Sequence, residues 1–166
     1  MYEATFYKGS YGYRVGRSAQ QAMESVKEYA EKGYRYVVEV DLSKYFNTLN
    51  HDLLLNILRR RIKDKRLIEL IKKFLKSGVM HNGVIVKTEE GSPQGGPLSP
   101  LLANIYLNEF DQEMSRRGVN IVRYADDIIV EAKSTKSHED ADKENAPISY
   151  DNVAIPEVHI RNRKNK

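Results

Sequence analysis

The stretch Val122-Arg123-Tyr124-Ala125-Asp126-Asp127-Ile128-Ile129-Val130 constrains this chain more than any other. β-Branched residues flank a central Asp-Asp pair, which reads as two strands meeting at a tight turn. Ala125-Asp126 supplies no glycine for a relaxed two-residue connection, and the adjacent carboxylates repel. Taken alone, such a pair is most often an ordinary polar turn. A divalent cation would remove the repulsion, since Mg²⁺ takes hard oxygen ligands, often one or two carboxylates plus substrate phosphates. The rest of the chain has to decide between these readings.

At 166 residues the chain is long enough for one domain with a core and short for two. Its formal charge of +4 fits a polyanionic partner without requiring one. The excess is clustered. Lys63, Lys65, Arg66, Lys72, Lys73 and Lys76 follow Arg59-Arg60-Arg61, a run that suits a solvated helix face as well as a binding surface. There is no cysteine, which excludes disulfides and thiolate zinc sites. The start of the chain has no apolar run, and no stretch approaches the roughly 18 apolar residues of a membrane span. A soluble, intracellular protein with no membrane partner is expected.

Residues 1–17, rich in Tyr and Gly, read as loop or irregular strand. Ser18 is placed to cap a helix over 19–32 that Gly33 ends. Tyr36 to Leu42 is a β-branched run, read as a central strand with Asp41 at its C-terminal end. Ser43 to Phe46 reads as a turn or short helical segment. Asn50 is placed to cap a helix with Leu53, Leu54, Ile57 and Leu58 on one face, closed by Arg59-Arg60-Arg61. A second helix, about 64–77, carries Leu67, Ile68, Leu70, Ile71, Phe74 and Leu75. Residues 79–88, with Asn82-Gly83 inside, read as a hairpin. A Gly- and Pro-rich loop over 90–100 precedes an amphipathic helix over 101–117 that Gly118 ends, and a strand over 119–124 leads into the Asp-Asp turn. After Ser134 the composition turns polar, and 135–166 read as a largely disordered tail with a basic end.

Three carboxylates stand out: Asp41 at one strand end, and Asp126 and Asp127 between two more strands. Neighbouring antiparallel strands would bring them to one metal site, of the kind in which two Mg²⁺ ions activate the attacking oxygen and stabilise the leaving oxygen of a phosphoryl transfer. Spacing alone leaves Asp41 equally open as a strand-end cap.

These residues carry a resemblance. Tyr124-Ala125-Asp126-Asp127 resembles the YxDD signature of reverse transcriptases. The run Ser92-Pro93-Gln94-Gly95-Gly96-Pro97-Leu98-Ser99-Pro100-Leu101-Leu102-Ala103-Asn104-Ile105-Tyr106-Leu107 resembles the PQGxxxSPxLxNxxL stretch of bacterial group II intron reverse transcriptases (intron-encoded maturases), and Ser10 to Ser18 resembles their SYGFRPGRS. The likeness is ordered and covers about residues 8–134. It implies an α+β palm-and-fingers fragment whose antiparallel sheet is packed by helices on one face. It also implies RNA-directed DNA polymerase activity: a primer 3′-hydroxyl attacks the α-phosphate of a deoxynucleotide.

On that resemblance Asp41 and Asp126 hold two Mg²⁺ ions (or Mn²⁺), Asp127 completes the acidic cluster, and the Leu42 carbonyl adds a ligand. Phe46 stands where an aromatic gate crowds a ribose 2′-hydroxyl; by composition alone it reads as a core aromatic. Gln94 and Gly95 line the incoming nucleotide, and Arg14 and Arg17 contact template or phosphate. The basic helices over 50–77 face RNA or solvent. Glu39 alternates with Asp41 on the strand and extends or tunes the acidic site. His51 and His81 receive no role. The implied partners are template and intron RNA, a DNA primer and deoxynucleotides, in the bacterial cytoplasm near RNA and nucleoid.

The resemblance also marks departures. The pattern is that of a partial reverse transcriptase domain over 1–134, followed by an unrelated tail over 135–166. The basic segment that usually grips the triphosphate, the last palm elements, the thumb and the maturase region are not seen. The change after Ser134 is what a frameshifted or truncated gene would give. A second function is therefore carried forward: a catalytically inactive remnant that binds intron RNA.

Overall fold

The computed structural model describes residues 2–42, 45–77, 79–81, 84–86, 90–93, 96–132 and 158–164; the side chains of Asp41 and of residues 79–81, 84–86 and 158–164 lie outside that description. In chain order the elements are α1 (Ala19–Glu31), β1 (Tyr36–Leu42), α2 (His51–Arg61), α3 (Lys65–Leu75), β2 (Val79–His81), β3 (Val84–Val86), α4 (Ser99–Arg116), β4 (Asn120–Tyr124), β5 (Asp127–Ala132) and β6 (Val158–Lys164). The chain divides into two units, Met1–Ser43 with Leu107–Lys166, and Lys44–Tyr106.

The first unit is built on a four-stranded antiparallel sheet in the order β4-β5-β1-β6. Strand side chains alternate between faces, so the register sorts them. Val38 and Val40 of β1, Ile121 and Arg123 of β4, and Ile128 and Val130 of β5 share one face, and all six are buried. The end of α4 lies against this face through the ion pair of Asp111 with Arg123. On the other face, Val122 packs with Ala22 of α1 and with Tyr11, joined by Val26, Tyr29 and Ile129. Helices pack the sheet as expected, and α1 adds cover at Val122 and Ile129 on the second face. That cover stops short of exposed Tyr124 and Asp127.

Local chemistry sets the helix ends. The Ser18 side chain accepts from the Gln21 amide while the Gln21 side chain accepts from the Ser18 amide, which satisfies two otherwise orphaned donors at the start of α1. Helix α4 starts at Ser99, two residues before its expected start, because Pro100 falls in the first turn, where no intrahelical donor is needed.

The polar stretch from 135 onward departs from expectation at one place. Val158–Lys164 forms β6 and pairs along the whole of β1. Val158 and Ile160 alternate with polar residues there, a short period-2 signal masked by its polar surroundings. Pairing also covers a β1 edge that would otherwise present unpaired backbone groups. Residues 133–157 and 165–166 lie outside the described residues.

In the second unit the Asn50 side chain caps α2 by accepting from the Leu53 amide, and Leu54, Leu55, Ile57 and Leu58 are buried. Arg59, Arg60 and Arg61 fall in its last turn, where cations meet the negative end of the helix dipole. Helix α3 buries Ile68, Ile71 and Leu75, a narrower stripe than expected: Leu67 and Leu70 are 42% and 62% exposed. Strands β2 and β3 pair antiparallel as the expected hairpin, with Asn82 and Gly83 outside the described residues. Tyr45–Asn47 forms a short 3₁₀ turn, and the Tyr45 hydroxyl donates to the Ala103 carbonyl at 2.8 Å. Among the described residues no helix is long and apolar enough to cross a membrane.

Ile121 is fully buried on the face that α4 covers. Ile121→Ala is expected to cost about 2–5 kcal/mol in chemical denaturation; a loss below about 1 kcal/mol would show that this face can collapse around the gap.

Candidate functional site

Strands β4 and β5 form a hairpin in which Tyr124 pairs with Asp127, leaving Ala125 and Asp126 as the two-residue turn. Ala125 has φ +60° and Asp126 does not share that left-handed region, the pattern of a turn whose first central position normally takes glycine. An alanine there is strained, so the surroundings must hold it.

Two features do so. The loop over residues 9–12 runs beside β4, with the Tyr11 amide donating to the Arg123 carbonyl and the Arg123 amide to the Gly9 carbonyl, each at 2.8 Å. Side chains at Gly9 and Gly12 would collide with that approach. A Cβ on Gly9 would overlap the Ile121 carbonyl, and one on Gly12 would overlap the Ala125 backbone nitrogen. The second feature is the Arg123 guanidinium, which is fully buried. Nε donates to Asp111 Oδ1 at 2.9 Å and Nη2 to Asp111 Oδ2 at 2.7 Å. Nη2 also donates to Ser10 Oγ, and Nη1 to the Ala125 carbonyl, both at 2.8 Å. Burial pushes the Asp111 carboxyl above the usual carboxylate range, against the opposing pull of Arg123.

Asp41 of β1 is the register partner of Asp127 of β5, so the two strand ends that carry acids are adjacent. Asp126 is half-buried at the turn and Asp127 is exposed. Leu42, the last residue of β1, has its side chain buried. Glu39 pairs with Ile129, one step along the face that carries Asp127. The donors at the turn are hard carboxylate oxygens, which fit a divalent cation such as Mg²⁺. Among the described residues, however, no three His, Cys, Asp or Glu side chains stand together as a metal cluster. The Asp41 side chain lies outside those residues.

Phe46 belongs to the second unit, where it is half-buried and meets Tyr45 edge-on with ring centroids 5.6 Å apart. Its carbonyl accepts from the Ser92 amide at 2.6 Å, and His51 Nε2 bonds the Gly91 carbonyl at 2.6 Å. These contacts fix the start of the Gly- and Pro-rich loop, with Gly91 at φ +88° against the Asn47 backbone. His51, given no role from sequence, is thus a loop anchor. Gln94 and Gly95 lie outside the described residues.

Arg14 does not stand free for a template. It pairs with Glu3 at 2.7 Å, donates to the Tyr7 and Ser10 carbonyls at 2.8 and 2.7 Å, and covers the Phe6 ring. Its donors tie the N-terminal loop together. Arg17 is half-buried, with its guanidinium over the Tyr11 ring.

Sequence reasoning misses Arg123, Asp111 and Glu131. The available signal is a charge at an apolar-face position: Arg123 alternates with Ile121, and Asp111 follows Phe110 on an apolar helix face. Glu131 is buried, and neither carboxylate oxygen has a hydrogen-bond partner among the described residues. Burial raises its pKa to about 7.

Known proteins resemble this chain in sequence and fold. The sequence profile of the family described as reverse transcriptase (RNA-dependent DNA polymerase) matches residues 2–145. The protein YkfC of Escherichia coli K12 is 36% identical over 87% of this chain and 48% of its own length. The group II intron-encoded protein LtrA of Lactococcus lactis is 43% identical over 68% of this chain and 18% of its own length. The chain thus spans about half or less of these relatives. The apo telomerase of Candida tropicalis shares the fold with a TM-score of 0.70 at 11% identity, over 96% of this chain and 37% of its own.

The raised Glu131 sets a pH dependence. The unfolded chain ionises this carboxyl near 4.5, the native chain near 7. The Glu131 contribution to stability is therefore full below the lower value, falls as pH rises between the two, and levels off above the upper one. Glu131→Gln is expected to flatten that decline in melting temperature between pH 5 and 7.5 and to raise the melting temperature at pH 7.5. An unchanged pH profile would show that Glu131 is hydrated in solution.

Proposed function

The chain belongs to the reverse transcriptase (RNA-dependent DNA polymerase) family and is a homologue of the group II intron-encoded proteins, and from that premise we propose that it serves as an RNA-binding segment that does not polymerise on its own. The observation that carries this is the charge distribution. Residues 51–76 hold nine Lys and Arg against three Asp and Glu, while the whole chain holds 27 against 23. Arg59, Arg60, Arg61, Lys63, Lys65, Arg66, Lys73 and Lys76 on and between α2 and α3 are exposed. A basic helical surface suits the phosphate backbone of RNA, which dominates affinity without reading sequence. Group II intron RNA is the substrate class that the relatives suggest, and the cytoplasm its place.

A second reading, RNA-directed DNA synthesis, is favoured by the register partnership of Asp41 and Asp127 beside the Asp126 turn. When bound there, two divalent cations would supply charge stabilisation at the attacking and leaving oxygens. Asp41, Asp126 and Asp127, with the Leu42 carbonyl, would hold them. Phe46, Gln94 and Gly95 would face the deoxynucleotide, and Arg17 the template, with a DNA primer supplying the 3′-hydroxyl.

Arg61→Ala, Lys65→Ala and Lys73→Ala together replace exposed cations with the best helix former, so the fold is expected to persist. RNA affinity by fluorescence anisotropy should fall, and the slope of log affinity against log salt should drop by about 0.7 for each phosphate no longer neutralised. An unchanged slope would place the RNA elsewhere. Primer extension on an RNA template with Mg²⁺ separates the two readings. The first expects none from a chain that binds RNA. Extension abolished by Asp126→Ala would establish the second.

A further inference from the structure

We propose that Arg123 is a positioning residue that fixes the location of Asp126 and thereby sets the divalent-cation affinity of the acidic turn. This rests on the turn being a cation site, as in the second reading above, and does not require polymerisation.

A buried guanidinium needs an anion and partners for its remaining donors. Charge neutralisation is complete with Asp111, whose two oxygens take Nε and Nη2 at 2.9 and 2.7 Å. A buried pair of this kind adds little stability over an apolar pair of similar volume, so stability alone is a weak reason for it. The remaining donors do something else. Nη1 bonds the Ala125 carbonyl, the peptide that leads directly into Asp126. Nη2 bonds Ser10 Oγ, two residues before the Gly12 backbone that lies against Ala125. One planar fork therefore joins α4, the N-terminal loop and the turn. The turn it holds is one that Ala125, at φ +60°, would not adopt by preference. Releasing the Ala125 carbonyl leaves the left-handed residue free to relax, and Asp126 moves with it.

Lysine separates the two duties. A single ammonium on a flexible stem can neutralise Asp111 but cannot reproduce the fork to Asp111, Ser10 and Ala125. Arg123→Lys should thus keep the fold and loosen the turn. Replacing the pair by Arg123→Met with Asp111→Leu removes both charges and orphans neither, a second route to the same loss.

The test is Mn²⁺ binding to the full chain, read by electron paramagnetic resonance, beside circular dichroism and melting temperature, with Asp126→Ala as the control. The expected result is binding that Asp126→Ala abolishes and that Arg123→Lys, still folded, weakens about tenfold, the scale seen when groups that orient metal ligands are removed. The double variant should match it. If it does not fold, Arg123→Lys decides alone. Folded variants that bind Mn²⁺ as the unsubstituted chain does would overturn this inference and leave the turn as a cation site. Equal binding by the unsubstituted chain and by Asp126→Ala would overturn the cation reading itself.

Discussion

The pairing of β1 with β5 in a single register is the constraint on which the first unit depends. With Val38 opposite Val130 and Val40 opposite Ile128, the apolar residues of both strands meet on the face that α4 covers. The same register makes Asp41 the partner of Asp127. A slip of one residue would invert every side chain on the slipped strand. It would drive acids into the α4 face and expose Val38 and Val40. Apolar burial, at about 1.5–3 kcal/mol for each large side chain, therefore specifies where the carboxylates stand without any contribution from them. Like charges at a strand end are tolerated because the register is fixed elsewhere.

Two buried ionisable groups in this unit show contrasting solutions to the cost of desolvation. Arg123 and Asp111 stay in the interior as a bidentate pair, with Ser10 and the Ala125 carbonyl completing the donor set. Glu131 has no such company among the described residues, and burial raises it to about 7, where protonation is the cheaper state. Both lie on strands that flank the acidic turn, on opposite faces. The satisfied pair ties its side of the hairpin to α4 and the N-terminal loop. The unsatisfied carboxyl makes the α1 side sensitive to pH.

Legibility in the sequence depends on whether the signal is local. The Asp-Asp turn, the Ser18 and Asn50 caps, the hairpin over β2 and β3 and the central position of β1 follow from residues within a few positions of one another, and the structure has them. Strand β6 escapes such reading because its two apolar residues sit in polar surroundings and its partner lies more than 100 positions away. Arg14 is given a template contact only from the motif it stands in. Its partners, Glu3, Tyr7 and Ser10, depend on how the N-terminal loop folds back, which no period records. Arg123 carries the clearest unread signal. A cation on the apolar side of a strand demands a buried anion, and Asp111 is the acid on the apolar face of the preceding helix.

The distribution of charge bears on both functional readings. Residues 51–76 carry more positive excess than the whole chain, so the remainder is net acidic. An acidic turn in a net acidic unit binds polyanions poorly on Coulomb grounds, whatever its fold. The proposed affinity for nucleic acid is therefore assigned to the other unit, where the exposed basic side chains of α2 and α3 are. The acidic turn gains a part in nucleic-acid chemistry only if cations screen it, because then the same carboxylates present positive charge to a phosphate. Binding and catalysis are thus separable in this chain. On the proposed reading the basic helices would supply the first, whereas the second would also require a turn held rigidly enough to keep its ions in place.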